Sequence, residues 1–163
     1  MGVLTNPRQT VIVTCRSKAH IMGKDVEKDN AITLDWHMPV SFKPQLYAIA
    51  VGKSRFSHKL IQGSKAFVVN FIPFAMKEQA LYCGRHSGDH RDKIKEAGIT
   101  AAESDKVDCP KIVGAVGYIE CEVWKEVDAG DHTIFIGKVI NAEMIKDEKR
   151  LFHVELDNFT TTS

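Results

Sequence analysis

The sequence predicts a mainly β protein, an antiparallel barrel with a few short peripheral helices. Apolar and β-branched runs recur along the whole chain, whereas helical segments are short and few. Strands and helices do not alternate regularly, and parallel sheets need long crossovers that are usually helical. The six predicted strands are Thr10–Cys15, Ala31–Trp36, Leu46–Val51, Ala66–Ile72, Ala115–Trp124 and Thr133–Ile140.

The last two predicted strands are expected to pair as a hairpin. From Ala115 to Trp124 apolar residues alternate with a mixed set, which is typical of a half-buried antiparallel strand. The segment Asp128–Asp131 is rich in turn-forming residues and separates this run from the one that begins at Thr133.

Three short helices are predicted between the strands. Each ends before a glycine, the residue that most readily adopts the left-handed conformation at a helix C-terminus. They are Ser57–Gln62 before Gly63, Met76–Cys83 before Gly84 and Asp89–Ala97 before Gly98.

The size and charge of the chain limit its organisation and partners. At 163 residues, of which 44% are hydrophobic, residues 1–163 are expected to form a single domain with a sizeable core. Lys and Arg number 22 against 21 Asp and Glu, which gives a net charge of +1. A balance of this kind provides no long-range attraction to nucleic acid or to an anionic membrane, so we expect neither as a partner.

The sequence also indicates a cytoplasmic location. The first six residues lack the basic and apolar regions of a signal peptide, and the longest apolar stretch is too short for a bilayer, which takes about 20 residues. Four cysteines, Cys15, Cys83, Cys109 and Cys121, are scattered with no C-x-x-C pair. In a chain of this size they are expected to be reduced thiols.

The strongest local chemical feature is the turn Lys53-Ser54-Arg55-Phe56-Ser57, because the chain has none of the usual nucleotide, lipase or zinc-protease motifs. A strand that leads through a cationic turn into a helix presents free N–H groups and the positive end of the helix dipole, a combination that suits a phosphate. Ser57 is expected to cap the helix or donate to the phosphate. The alternative is a solvated turn with an N-cap serine.

Three weaker candidates each have a functional and a purely structural interpretation. Cys83, His86 and His90 have the spacing of three zinc ligands, but a glycine-hinged loop is the preferred interpretation and no metal is predicted. His132 is either a proton donor or ligand, or simply an exposed or hydrogen-bonded turn residue. Tyr118 and Trp124 either stack on a bound ring or serve as packing residues.

Several blocks of sequence resemble a known family. Asn30-Ala31-Ile32-Thr33-Leu34-Asp35-Trp36, followed by Pro39, Ser41 and Pro44, resembles the N-x-x-T-x-[S]-W…P-V-S…P signature of the flavin reductase-like, FMN-binding split-barrel family, which includes flavoredoxin. Further blocks agree in order across nearly the whole chain. They are Ser54–Ser57, Phe67–Asn70, Tyr82–Gly84 with Ser87-Gly88 and Asp92-Lys93, Ile119–Val123, and Gly130–His132 through Phe135.

This resemblance implies a split barrel that holds FMN at a homodimer interface. The ring is then expected against Asn30, Ala31, Ile32, Thr33 and Trp36, with Met38 at its edge. The phosphate is expected on Lys53, Ser54, Arg55 and Ser57. The ribityl-phosphate end is expected under Ser87, Asp92 and Lys93, with Cys83 and Gly84 below it.

The resemblance also implies a redox function in which the flavin, and no catalytic side chain, carries the chemistry. The expected function is NAD(P)H-dependent flavin reduction or flavoredoxin-type electron transfer, with a redox protein or a small molecule as acceptor. A ferric reductase and a non-enzymatic flavin-binding domain are the alternatives. Asp35 stands where relatives often carry Ser, and a carboxylate there is expected to disfavour an anionic reduced ring.

Overall fold

The structure is a computed structural model, and it describes residues 2–162 of the chain. Its elements in chain order are α1 (Gly2–Thr5), β1 (Arg8–Gln9), β2 (Val11–Ile21), β3 (Lys24–Leu34), β4 (His37–Phe42), β5 (Gln45–Gly52), α2 (Phe56–Ser64), β6 (Ala66–Phe71), a 3-10 turn (Phe74–Met76), α3 (Lys77–Arg85), α4 (Lys93–Glu96), β7 (Ala101–Glu103), β8 (Pro110–Ile112), β9 (Gly117–Ala129), β10 (His132–Met144), β11 (Phe152–Glu155) and β12 (Asn158–Thr160). Within this range no helix has the length and apolar character needed to span a bilayer.

The main sheet has seven strands in the order β3-β2-β6-β9-β10-β5-β4, and every neighbouring pair is antiparallel. Its two edge strands, β3 and β4, follow one another in the chain and are linked by Asp35-Trp36. The sheet must therefore curl until its edges meet, which confirms the predicted antiparallel split barrel. A backbone hydrogen bond from Ala50 N to Trp36 O, at 2.9 Å, extends the β4–β5 ladder by one residue to the place where β3 approaches β5. We call this place the seam.

The barrel interior is filled by alternate side chains of six strands and by one helix. Strand residues with a period of two point inwards, and α2 adds Leu60 and Ile61. The buried members are Val11, Val13, Cys15, Ile32, Leu34, Tyr47, Ile49, Val51, Leu60, Ile61, Phe67, Val69, Cys121 and Phe135. This core fixes the start of α2 beside the seam.

A second apolar layer lies on the outer face of β2 and β3. Because side chains alternate along a strand, Ile12 and Ala31 point away from the barrel interior and pack under α3, α4 and β8. Ala80 and Cys83 are the buried residues of α3 in this layer. The layer holds α3 over β3 and so covers one side of the seam.

The predicted strands are confirmed, and the structure extends most of them. Each of the six overlaps one strand of the main sheet, and the pairing of Ala129 with His132 confirms the hairpin around Gly130. The edge strand β4 and the short strands β1, β7, β8, β11 and β12 have no counterpart among the predicted elements. Their sequences lack a sustained apolar alternation.

Two of the three predicted helix ends are wrong. Helix α2 continues through Gly63 to Ser64, and its C-cap is Lys65, whose φ of 57° is left-handed, while α3 likewise contains Gly84. Gly63 is present because α2 lies close to β2: a Cβ there would be 2.7 Å from Ser17 Oγ. Gly98 does have the predicted left-handed backbone, with φ of 67°, although α4 is much shorter than predicted.

Candidate functional site

A cleft follows the seam of the barrel and has two adjoining parts. The first, which we call the seam cavity, has a volume of about 180 Å³ and is lined by Ile32, Thr33, Leu34, Asp35, Trp36, Ala50, Gly52, Arg55, Gly84 and His132. The second, which we call the helix cavity, has a volume of about 130 Å³ and is lined by Asn30, Ile32, Ser54, Arg55, Phe56, Ser57, Cys83, Gly84, His86, Ser87, Gly88 and Lys93. Ile32, Arg55 and Gly84 belong to both, so the two parts form one elongated site.

The helix cavity contains a buried ammonium group. Lys93 is only 4% exposed, and its Nζ donates to the backbone oxygen of Cys83 at 3.0 Å. Burial lowers the pKa of Lys93, and the nearby charge of Arg55 acts in the same direction. Among residues 2–162, no carboxylate forms an ion pair with this ammonium. A buried cation without a paired anion is costly, so this cavity favours an anionic ligand.

Arg55 adds a second positive charge at the start of α2. It is the N-cap residue, with an extended backbone of φ −79° and ψ 138°. Its guanidinium is exposed and has no ion-pair partner within the described part of the chain. The first N–H groups of the nine-residue helix α2 lack intrahelical acceptors, and they add the positive end of the helix dipole to this place.

Asn30 and Ser57 place further polar groups in the helix cavity. Both residues are 1% exposed, and Asn30 Nδ2 donates to Ser57 Oγ at 2.7 Å. Ser57 Oγ is therefore an acceptor in this bond, and its hydroxyl proton can be directed to the neighbouring thiol of Cys15 or to a ligand. Asn30 Oδ1 is buried without a hydrogen-bond partner. The prediction that Ser57 caps α2 is wrong, because Arg55 occupies the cap position and Ser57 lies inside the helix.

The seam cavity runs along the free edge of β3. This strand pairs only with β2, so every second backbone group between residues 30 and 34 has no ladder partner on the seam side. Thr33 Oγ1 donates to the backbone oxygen of Ala80 at 2.6 Å, which fixes α3 beside the strand. A Cβ on Gly84 would lie 3.4 Å from that of Thr33, so the missing side chain keeps the cleft open.

Two rings and a carboxylate surround the outer end of the seam cavity. The rings of Trp36 and His132 are 4.9 Å apart with an interplanar angle of 36°. His132 Nδ1 lies 2.7 Å from Asp131 Oδ1, and this contact lowers the pKa of Asp131. The carboxylate is that of Asp35, which accepts a hydrogen bond from Thr10 Oγ1 at 2.7 Å.

Most residues predicted for cofactor binding line this cleft. They are Asn30, Ile32, Thr33, Trp36, Ser54, Arg55, Ser57, Cys83, Gly84, Ser87 and Lys93. Segments far apart in the sequence are thus brought together at one seam.

Four other predicted residues have side chains outside both cavities. Ala31 is buried in the layer under α3, and Met38 is exposed on β4. Lys53 Nζ donates to Asp128 Oδ1 and to Gly130 O, both at 2.6 Å. Asp92 caps α4 by accepting a hydrogen bond from Lys95 N at 3.1 Å.

The structure gives a different result for each of the three weaker candidates, the possible zinc ligands, His132 and the two aromatic residues. Cys83 is buried, with a pKa raised to about 11 by burial, whereas His90 is largely exposed beside Asp89. Residues 2–162 contain no group of three His, Cys, Asp or Glu side chains placed to hold a metal ion. Tyr118 and Trp124 lie outside the cleft, whereas His132 lines it.

Three residues at or behind the seam cavity are not among the predicted binding residues. His132 and Asp35 were singled out by their position in a turn and by a departure from the family pattern. His153, which contacts Asp35, lies on β11 near the end of the chain. No local pattern connects it with the seam.

The fold and the cleft define a split-barrel protein with a site for an elongated, anionic ligand. The chain belongs to the family described as "Flavin reductase like domain", whose model matches residues 3–161. An uncharacterized protein of Archaeoglobus fulgidus is 35% identical over 156 residues, which cover 90% of this chain and 88% of that protein. The NADH-dependent FAD reductase of Streptomyces globisporus is 33% identical over 111 residues, covering 63% of this chain and 56% of that enzyme.

A solved structure shows the same fold. The FMN-binding protein from Thermus thermophilus, with bound p-hydroxybenzaldehyde, superimposes with a TM-score of 0.84 at 21% identity, covering 98% of this chain and 88% of that one. The sequence-based assignment to the flavin reductase-like, split-barrel family is confirmed. The predicted class of function, a flavin-dependent oxidoreductase, agrees with that family.

Proposed function

We propose that this chain binds FMN in the seam and helix cavities and acts as an NAD(P)H-dependent flavin reductase or a flavoredoxin-type electron carrier. The observation that carries the proposal is the buried, unpaired ammonium of Lys93 beside the unpaired guanidinium of Arg55 at the start of α2. This arrangement lies at one end of a cleft whose other end is wide and lined by rings and a strand edge.

The phosphate of FMN fits the helix cavity. Lys93 and Arg55 provide charge, the first N–H groups of α2 provide donors, and Ser57 places a buried hydroxyl beside them. Ser54 and Ser87 line the same cavity and are proposed to complete the polar shell.

The isoalloxazine ring is proposed to lie in the seam cavity. The unpaired N–H and C=O groups along residues 30–34 match the alternating donors and acceptors of the ring's polar edge. Trp36 and His132 border the open side. When bound there, FMN supplies the electron-transfer chemistry, and the chain binds it, orients it and limits its contact with water.

NAD(P)H is proposed as the electron donor, in line with the NADH-dependent FAD reductase among the relatives. The seam cavity is open to solvent beside Trp36, which is 46% exposed, and this leaves an approach for a second ring. A redox protein or a small molecule is proposed as the acceptor.

The protein is further proposed to act as a homodimer in the cytoplasm. Strand β4 lies at the sheet edge and, with Trp36 just before it, exposes Met38, Val40 and Phe42, an apolar row continuous with the seam cavity. A row of this kind usually marks an interface. The four cysteines are all free and buried, as suits a reducing compartment.

A spectroscopic experiment tests the proposal directly. Purified protein, reconstituted with FMN and desalted, is expected to retain a flavin absorbance band, and acid precipitation should release the chromophore. Anaerobic addition of NADH or NADPH should then bleach the band. Retention of FMN without bleaching by either nucleotide would favour the electron carrier, and a protein that cannot retain FMN would contradict the proposal.

A further inference from the structure

The carboxylate of Asp35 lines the seam cavity and is held from two sides by the protein. Oδ1 accepts a hydrogen bond from Thr10 Oγ1 at 2.7 Å, and Oδ2 lies 2.6 Å from Nδ1 of His153. Both side chains are about one fifth exposed, so solvent screens this contact only in part. The contact has ion-pair distance, although Nδ1 and Oδ2 are not aligned as in a regular hydrogen bond.

The other nitrogen of His153 determines where the protons are. Nε2 lies 2.9 Å from the backbone oxygen of Leu156, and a carbonyl oxygen can only accept. Nε2 must therefore carry a proton. In a neutral imidazole Nδ1 would then present a lone pair to a carboxylate oxygen at 2.6 Å, which is repulsive. A second proton, on Nδ1, turns the same contact into an attractive ion pair.

We propose that His153 is a positioning residue which, as an imidazolium, neutralises Asp35 and so allows reduced FMN to bind beside this carboxylate. The inference rests on the proposed function, because it assumes that the ring occupies the seam cavity. The carboxylate of Asp35 alone is expected to disfavour an anionic reduced ring, whereas the neutralised pair would not. The C-terminal hairpin β11–β12 thereby acts on a cleft to which it contributes no lining residue.

Several other charged groups lie near the pair. Arg8 stands opposite His153 in the β1–β11 ladder, and Glu155 follows on the same strand. Asp157 is paired with Arg85, and Lys77 lies over the ring of Phe159, which packs against His153. His37 donates from Nε2 to Gln9 O and is hydrogen-bonded to Tyr47 at Nδ1, and burial lowers its pKa although Asp35 acts in the opposite direction. Across the cavity stand Arg55 and His132.

The first test uses the protein without flavin. Nitrogen-15 NMR of histidine-labelled apoprotein at neutral pH is expected to show both ring nitrogens of His153 protonated, and Asp35→Asn should change the Nδ1 signal. A His153 with a single proton would overturn the proposal, whatever the protein binds. This result is independent of FMN, so it separates a failure of this inference from a failure of the proposed function.

The second test measures the dissociation constants of oxidised and reduced FMN, and the midpoint potential, for four proteins. In His153→Gln the unpaired carboxylate should raise the ratio of the dissociation constant of reduced FMN to that of oxidised FMN about tenfold. For a two-electron couple, this change corresponds to a midpoint potential lower by about 30 mV. Asp35→Asn and the double variant Asp35→Asn/His153→Gln should not show this rise. His20→Gln, which breaks an exposed histidine–aspartate pair far from the cleft, is the matched control. An unchanged ratio in His153→Gln would overturn the proposal.

Discussion

Lys93 shows how one buried side chain links folding to ligand binding. Its ammonium lies among Cys83, Cys15 and the start of α2, and burial lowers its pKa because the charged form loses water. In the apoprotein this charge costs stability at any pH below the folded-state pKa. A phosphate beside it would raise that pKa again and recover the cost on binding.

The affinity for FMN is therefore expected to depend on pH through Lys93. A phosphate binds best while the ammonium is charged, so affinity should be full below the pKa of Lys93 in the free protein and decline as pH rises through it. Riboflavin, which lacks the phosphate, should show no such decline. Fluorescence titrations of both flavins across the alkaline range measure this.

The variant Lys93→Met provides the corresponding control. It should remove the alkaline decline and weaken FMN binding, while the melting temperature of the apoprotein stays the same or rises because a buried charge is gone. A large loss of apoprotein stability would indicate that the bond to Cys83 O, and no ligand site, is the main role of Lys93.

Arg55 and Lys53 form a natural pair for a second experiment. Arg55 lines both cavities without an ion-pair partner among residues 2–162, whereas Lys53 is engaged by Asp128 and Gly130 outside them. Arg55→Ala is expected to weaken FMN by about 1.5–3 kcal/mol, roughly tenfold to a hundredfold, and riboflavin much less. Lys53→Ala should change FMN affinity little. Equal losses from the two variants would contradict this division.

At the residue scale, sequence motifs located most of the cleft but not its charge balance. The order of blocks identified Asn30, Arg55 and Lys93, because each lies in a recognisable segment. The ion pairs that occupy Lys53 and Asp35 come from Asp128 and His153, which are 75 and 118 positions away in the sequence. Contacts of this kind depend on strand register, and strand register cannot be inferred from a local sequence pattern.

At the element scale, the packing of α2 on β2 depends on the missing side chain of Gly63. An added methyl would lie 2.7 Å from Ser17 Oγ, so Gly63→Ala is expected to destabilise the protein by about 1–2 kcal/mol despite the higher helix propensity of Ala. The double variant Gly63→Ala/Ser17→Ala removes the clash and should recover the stability of the wild type or exceed it. Urea denaturation of the three proteins measures both effects. A double variant no more stable than Gly63→Ala would show that the close approach has another cause.

The prediction of elements succeeded where periodicity is long and failed at the helix ends. Strands β9 and β10 alternate over many residues, and their hairpin turn contains the expected glycine, Gly130, with φ of 70°. Glycines 63 and 84 suggested caps because a glycine inside a helix normally costs about 1 kcal/mol. The close approach to Ser17 explains Gly63, whereas Gly84 lines the cleft, which a side chain there would enter, and both relations are tertiary.

At the scale of the whole molecule, the exposed row on β4 leads to a prediction about assembly. Phe42 is 95% exposed and Met38 57%, which is unusual for large apolar side chains on a sheet edge. Met38→Glu/Phe42→Glu is expected to convert a dimer to a monomer and to weaken FMN binding at the neighbouring seam. Val113→Glu, at an exposed apolar residue away from β4, is the control. Light scattering coupled to size-exclusion chromatography reports the mass, and a wild-type monomer that retains FMN would refute the shared site.

The overall architecture was accessible from the sequence because strand number and helix scarcity permit few arrangements. The position of the cleft was not accessible from strand patterns alone. It arises because the first and last strands of the sheet order, β3 and β4, are neighbours in the chain, so the curled sheet must meet itself at Asp35-Trp36.

That meeting point has a consequence for the motions of the barrel. Across most of the sheet, full ladders must break before a strand can separate, but the bond from Ala50 N to Trp36 O is the last bond at the seam end of the β4–β5 ladder, whose register pairs His37 with Ile49. Local opening is cheapest where few bonds are lost, so amide exchange at Ala50 should be faster than in the middle of β5. A ligand that contacts both β3 and β5 would restrict this local opening. Slower amide exchange at Ala50 would therefore report that the ligand is bound across the seam.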